Sequence, residues 1–546
     1  MEAWTTSNTW NPRPVARTLP PRLVTWLAIF GLLAPGSPLA VAAATQDATG
    51  HVTAESTDAS EATAGAESTA DAQLAAVAND DSQTRVALGT LVENIACTTD
   101  PTQTYTLYLP STYTTERRWP VLFVFDPRGR SGMAAEIFLP AAERYGWILM
   151  SSDNTRSDGA WDPNFKAIAA MGPDAARFAY DQDRIYAAGF SGGAMLAWLW
   201  GQQSGGLAGV IGSGGRPVES SIPATEVPFA FFGAAGDEEF NYEPTLQLID
   251  TAARAGAPHR FESFPGPHAW MPPKLAFEAV EWMEVQAMQA GTREADPDLL
   301  AEVFAKDLAR ARELERSGRL LEAERRYDAI ARTFAGLLDV QEIVDRAAAL
   351  AKSSDVKKAM EAEKAARRYE EFQRDRMSRA LSGFSATGES TRQRPVRSSG
   401  QLEGTLRLSG LLEAAREETA KGFAARRTLN WLSSQLAFYL PRTFFQNRDY
   451  RRAAVVLELA TIIGPPRPSL LYDLACARAR SGATKKAIEA LTDAVGAGYS
   501  NLEHMQQDSD LENLRDLPAY QDLVARMKEV ERHKTSYSSA SDTDGH

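Results

Sequence analysis

A chain of 546 residues is longer than the ~250–300 residues at which a single core stops growing, so two or more domains are expected. Charged residues at 24% and hydrophobic residues at 44% are ordinary for soluble globular chains and exclude wholesale disorder, a collagen-like fibre and a polytopic membrane protein. The balance of 58 basic against 71 acidic residues, a formal charge of −13, lacks the basic field of a nucleic-acid binder, and two cysteines, Cys97 and Cys476, cannot build a disulfide framework or a Cys-rich zinc site.

The first 44 residues read as an export signal. Arg13, Arg17 and Arg22 precede an apolar stretch from Leu23 to Leu33, Pro35 and Pro38 break it, and small residues from Ala40 to Ala44 offer a cleavage site. The stretch is short of the ~20 apolar residues that span a bilayer. A periplasmic or secreted location is expected, with no stable membrane span once the signal is removed; an uncleaved anchor is the alternative. Residues 45–84 contain eight acids and no Lys or Arg and bury too little surface to fold, which predicts a flexible acidic linker.

Residues 85–292 alternate short β-rich runs with amphipathic helical patterns, the signature of an α/β domain with a mostly parallel sheet. Segments 85–95 and 103–110 form an expected opening antiparallel pair. Further strands are predicted at 120–125, 147–152, 184–190, 207–213, 229–232 and 259–264, with helices at 134–145, 192–203, 245–255 and 274–289. After Asp296 the strand signal ends. Residues 293–381 are helical and weakly repeat-like, with an ordinary bundle or a short coiled coil as alternatives; 382–404 read as a linker, 405–530 as a helical-repeat domain and 531–546 as a disordered tail. Ala453, Leu457 and Ala460 recur 34 residues later as Ala487, Leu491 and Ala494, the period of stacked helical hairpins. Gly318, Ala323 and Tyr327 form a weaker earlier copy. Such arrays present concave surfaces, so a protein or peptide partner is expected there, with catalysis left to residues 85–292 alone.

The chemistry is concentrated in the α/β part. Gly189-Phe190-Ser191-Gly192-Gly193 lies between an apolar strand and a helix, the context in which G-x-S-x-G forms a nucleophile elbow. A Gly-rich turn with an inert serine is the competing reading. Among six histidines only His259 and His268 fall in this domain outside the linker. His268 follows the last strand, where active-site loops of α/β sheets lie, and is the expected general base. The acid should follow a strand between the two. Asp237, first after the Gly/Ala-rich turn, is the choice, and Glu239 remains a candidate. The expected oxyanion donors are the N–H groups of Gly192 and Arg128, because Pro127 has none to give. Trp161 and Trp270 are candidate substrate-binding aromatics. No metal-ligand spacing occurs, and no cofactor is expected.

The text Tyr105–Pro110, Asp183–Gly193, Gly236-Asp237 and Gly266–Trp270 resembles esterases of the α/β-hydrolase superfamily, near polyhydroxybutyrate-depolymerase-like and feruloyl-esterase-like enzymes. The loop 126–129 departs from that family's His-Gly-rich pattern. The segment 472–487, with Leu474, Ala475, Ala477, Gly482 and Ala487, is similar to tetratricopeptide repeats. The resemblance implies a Ser191, Asp237, His268 triad and hydrolysis of a small or polymeric ester. A serine peptidase or amidase with the same machinery, and an inactive hydrolase-fold scaffold, are the other readings.

Overall fold

The computed structural model describes residues 86–157, 159–218, 226–386, 398–464 and 467–541; the expected export signal and acidic linker lie outside them. Residues from Leu88 onward form one compact unit.

Eight strands make one sheet: β1 Leu91–Ala96, β2 Thr104–Tyr108, β3 Trp119–Phe125, β4 Ile148–Ser152, β5 Tyr180–Phe190, β6 Gly209–Ser213, β7 Ala230–Gly236 and β8 His259–Phe264. Their order is β1-β2-β4-β3-β5-β6-β7-β8. β1 and β2 are antiparallel to their neighbours, and β3 to β8 run parallel. The central strands are buried on both faces, as continuous runs such as Trp-Pro-Val-Leu-Phe-Val-Phe in β3 require. Helices α1 Ser131–Tyr145, α2 Asp162–Asp174, α3 Gly192–Ser204, α4 Tyr242–Arg254 and α5 Pro273–Gln289 connect the strands. α2 was not anticipated, although Asp162-Pro163 is a good helix start. The parallel register brings the carboxyl ends of β3, β5, β6, β7 and β8 to one edge: Phe125 pairs with Gly189, Phe190 with Ser213, and Gly236 with Phe264.

The helical region begins with α6 Pro297–Arg316, α7 Leu320–Phe334, α8 Gln341–Lys352 and the long α9 Ser354–Ser385. Asp296 caps α6 by accepting from Leu299 N at 3.0 Å, so the point at which the strand pattern ends is a helix N-cap. Next come α10 Ser399–Leu406, α11 Leu408–Ala414, α12 Ala420–Ser434, a π-helical turn Gln435–Tyr439 and α13 Leu440–Gln446. The chain closes with α14 Tyr450–Ile463, α15 Pro468–Arg480, α16 Thr484–Gly496, α17 Leu502–Gln507 and α18 Pro518–Ser541. Both copies of the repeat, Ala453, Leu457, Ala460 and Ala487, Leu491, Ala494, are buried in one core, as are Ala323 and Tyr327 in another. The expected linker is narrower than its composition suggested. α9 runs to Ser385, α10 starts at Ser399 with Leu402 and Leu406 buried, and 387–397 lie outside the described residues. The expected disordered tail is helical through Ser541.

The division into a free-standing α/β domain and a separate helical domain does not hold. α5 belongs to both: Trp282 and Met283 pack into the sheet core, while Val285 and Met288 pack with Leu299, Leu300 and Val303 of α6. At β8, Arg260 makes a two-pronged pair with Asp307 of α6 at 2.8 and 2.9 Å and binds Glu262 at 2.8 Å, while Arg326 of α7 also pairs with Glu262 and Asp307. All four are buried. Burial opposes each charge, but the Arg260 guanidinium holds both carboxyls below their usual range, and they hold Arg260 above its own.

Candidate active site

The elbow is built by close approach. A Cβ at Gly189 would lie 2.1 Å from Gly193 O, and one at Gly193 would lie 1.9 Å from Phe125 O, so neither position admits a side chain without moving backbone. Between them Ser191 sits at φ 54°, ψ −117°, a region non-glycine residues rarely occupy. Its N–H donates to Ser213 O at 2.9 Å, which ties the turn to β6. The Ser191 side chain therefore stands at the N-terminus of α3, where free N–H groups and the helix dipole favour negative charge.

His268 reaches Ser191 from the loop after β8. Its Nε2 is 3.0 Å from Ser191 Oγ, and its ring lies against Phe190 and Phe240, centroids 4.5 and 4.3 Å away. Ser213 Oγ anchors the loop by donating to Ala269 O and accepting from Met271 N. His259 stands at the opposite end of β8, bonded to Ala257 O and Arg332. It is not part of the site.

The carboxylate on His268 Nδ1 is Glu239, not Asp237. Asp237 still continues the β7 ladder, its N–H donating to Phe264 O, and its Oδ1 accepts from Gly266 N at 2.9 Å. It staples the acid loop to the histidine loop and stops two residues short of His268. A turn closed by Glu239 N on Gly236 O then swings the longer Glu239 side chain inward, where it is fully buried. Gly214, at φ +56°, makes the space: a Cβ there would meet Glu239 Oε2 at 2.6 Å. Asn241 completes the seat, its N–H donating to Glu239 Oε1 and its side chain to Gly214 O.

Arg128 does not serve as the second oxyanion donor. Its N–H already donates to Asp126 Oδ1 at 2.9 Å, and the N–H of Arg130 turns to the same oxygen. Asp126 is fully buried and also accepts from the Arg130 guanidinium and from Trp270 Nε1. Burial would raise its carboxyl, but these donors outweigh it and hold it below the usual carboxylate range. Gly192, directly after Ser191, opens α3, so its N–H lies in the first turn of that helix. Trp270 is placed beside the site by Asp126 and by packing on Phe190. Trp161 stacks on Phe165 within its own helix start and has no described contact with Ser191, His268 or Glu239. Among the described residues no group of side chains could hold a metal ion.

A parallel sheet in this order with an antiparallel second strand, and an elbow at the end of β5, define the α/β-hydrolase fold. No family model matches the sequence, and no curated protein does. Solved structures similar to this chain include the fluorophosphonate-binding serine hydrolase FphF of Staphylococcus aureus, 15% identical, covering 36% of this chain and 96% of its own length with a TM-score of 0.30. Est1E from Butyrivibrio proteoclasticus is 14% identical over 36% of this chain and 98% of its own (TM-score 0.29), and Thermogutta terrifontis esterase 2 is 15% identical over 38% and 96% (TM-score 0.30).

Proposed function

We propose that this protein is a serine hydrolase that cleaves carboxylic esters through an acyl-enzyme on Ser191. The observation that carries the reading is the chain of contacts from Ser191 Oγ through His268 to Glu239, on a serine held in a strained backbone conformation. His268 Nε2 takes the Ser191 proton as Oγ attacks the ester carbonyl. The Nδ1–H donates to Glu239, which fixes the tautomer and balances the imidazolium. Gly192 N–H faces the developing oxyanion at the helix N-terminus. Collapse expels the alcohol with the proton from His268; a water molecule, deprotonated by the same nitrogen, then frees the acid and restores Ser191.

An ester is favoured over an amide because the loop 126–130 spends its N–H groups on Asp126. One missing oxyanion donor costs about 10²–10³ in rate, a loss that the more electrophilic ester carbonyl, with its better leaving group, tolerates more readily. Export is part of the same proposal and rests on residues 1–44. The helical surface remains a proposed platform for a protein or peptide segment.

Fluorophosphonate labelling with peptide mapping, followed by turnover of p-nitrophenyl esters and matched p-nitroanilides, tests the reading. Labelling at Ser191 with ester turnover in excess of amide turnover is expected. An unreactive Ser191 in folded protein would leave only the scaffold reading, and equal amide turnover would make the enzyme an amidase.

A further inference from the structure

We propose that the helical region positions the triad carboxylate: side chains of α9 and α12 hold the backbone of the acid loop, and so set where Glu239 meets His268. The inference rests on the hydrolase reading above and adds residues more than a hundred positions away in sequence.

The loop from Asp237 to Asn241 has two faces. Its inner face is fixed by β8, Gly214 and His268. Its outer face presents main-chain carbonyls that in a free-standing α/β domain would point to water, which satisfies a carbonyl but does not fix its position. Here three of them accept from side chains of the helical region: Asn430 Nδ2 donates to Glu238 O at 2.8 Å, Arg374 to Phe240 O at 2.8 Å, and Arg427 to Asp237 O at 3.3 Å. The gripped residues flank Glu239 on both sides, and Phe240 itself packs on the His268 ring.

Two of the three donors, Arg374 and Arg427, are in turn held by one buried carboxylate. Glu370, buried on α9, pairs with Arg427 and with Arg374, each at 2.7 Å, so one carboxylate aims two guanidiniums into the loop. Arg427 also lies over the Tyr242 ring at 4.7 Å, and Arg426 pairs with the Glu238 side chain at 3.1 Å. Hydrogen bonds to the carbonyls of Asp237, Glu238 and Phe240 act on the backbone itself, on both sides of Glu239. A shift of about 1 Å in a group that orients the base can cost about 10²-fold in rate.

The test is a double-substitution cycle in the full chain, with kcat expressed per active site titrated by fluorophosphonate, so that loss of folded protein does not count as loss of rate. Asn430→Ala should lower kcat for a p-nitrophenyl ester about tenfold with KM changed less than about twofold. In a Glu239→Ala background the same substitution should change kcat less than about twofold, because the group it positions is already gone. If Asn430→Ala does not fold, Arg374→Gln, which withdraws the donor to Phe240 O, carries the same two measurements. Wild-type kcat in the variant, or the same loss in both backgrounds, would overturn the proposal in favour of a merely structural contact. A wild-type chain that neither labels at Ser191 nor turns over any ester would instead overturn the hydrolase reading on which the proposal stands.

Discussion

Two of the contacts between the helical region and the α/β part differ in kind. At β8, Arg260 and Glu262 bind Asp307 and Arg326 side chain to side chain in a buried four-membered network. At the end of β7, Arg374, Arg427 and Asn430 bind backbone carbonyls beside Glu239. The first contact joins two cores and fixes no group that touches His268. The second acts on the loop that carries Glu239, the partner of His268 Nδ1. The pair separates two consequences of fusing a helical region to a hydrolase sheet: the β8 contact sets whether the chain folds as one unit, and the loop contact sets how well the folded site works.

The largest effects should fall on the reacting groups, where neither contact intervenes. Ser191→Ala is expected to lower kcat by about 10⁴ or more while leaving the circular dichroism spectrum unchanged, and His268→Ala should be comparably severe. His259→Ala should stay within about threefold of wild type, since His259 lies at the other end of β8. The reverse ranking of the two histidines, measured on the same ester, would move the base.

The next effects sharpen the contrast between the contacts. Asp307→Asn leaves Arg260 and Arg326 short of an anion in a buried site and should cost about 3 kcal/mol of stability in chemical denaturation, yet kcat per titrated site should change less than about twofold. A chain ending at residue 292 should fail to fold stably, because Val285 and Met288 lose their cover and Arg260 loses Asp307. This reverses the expectation, drawn from the repeat pattern, that residues 85–292 suffice for catalysis; a folded, fully active 85–292 fragment would restore it.

The network also predicts a pH dependence. Glu262 and Asp307 are held below their ordinary carboxyl values in the folded protein, so in acid the unfolded chain binds more protons than the folded one. Their contribution is present above the unfolded values of about 4 and is lost as pH falls below them toward the folded values. Melting temperature should therefore drop more steeply below about pH 4 in wild type than in Asp307→Asn. The smallest effect is expected at Trp161, whose removal should leave kcat/KM within about twofold.

The strands, the tight turn at Ser191 and the approach of His268 to it were legible because each depends on local pattern: a buried run before a turn, small residues around a serine, one histidine after the last strand. Glu239 was not, because Asp237, Glu238 and Glu239 differ only in how the chain turns after β7. That turn is decided by pairing with Phe264 and by the space at Gly214, partners far apart in sequence. Arg128 was misread for a nearer reason, since Asp126 two residues earlier captures its N–H. The grip on the acid loop had no readable signal. Arg374, Arg427 and Asn430 sit in charged helical text that carries no motif, and their partners are main-chain carbonyls, which every residue type has.

The central claim is that Glu239, placed by a loop held from both faces, is the partner of His268, and a matched pair of substitutions in the full chain tests it most directly. Measured as kcat per fluorophosphonate-titrated site, Glu239→Gln should fall by about 10³ to 10⁴, because the carboxylate that orients and balances the imidazolium is lost. Asp237→Asn keeps an acceptor for Gly266 N and should lose less than about tenfold. The opposite order, with Asp237→Asn crippled and Glu239→Gln near wild type, would contradict the account.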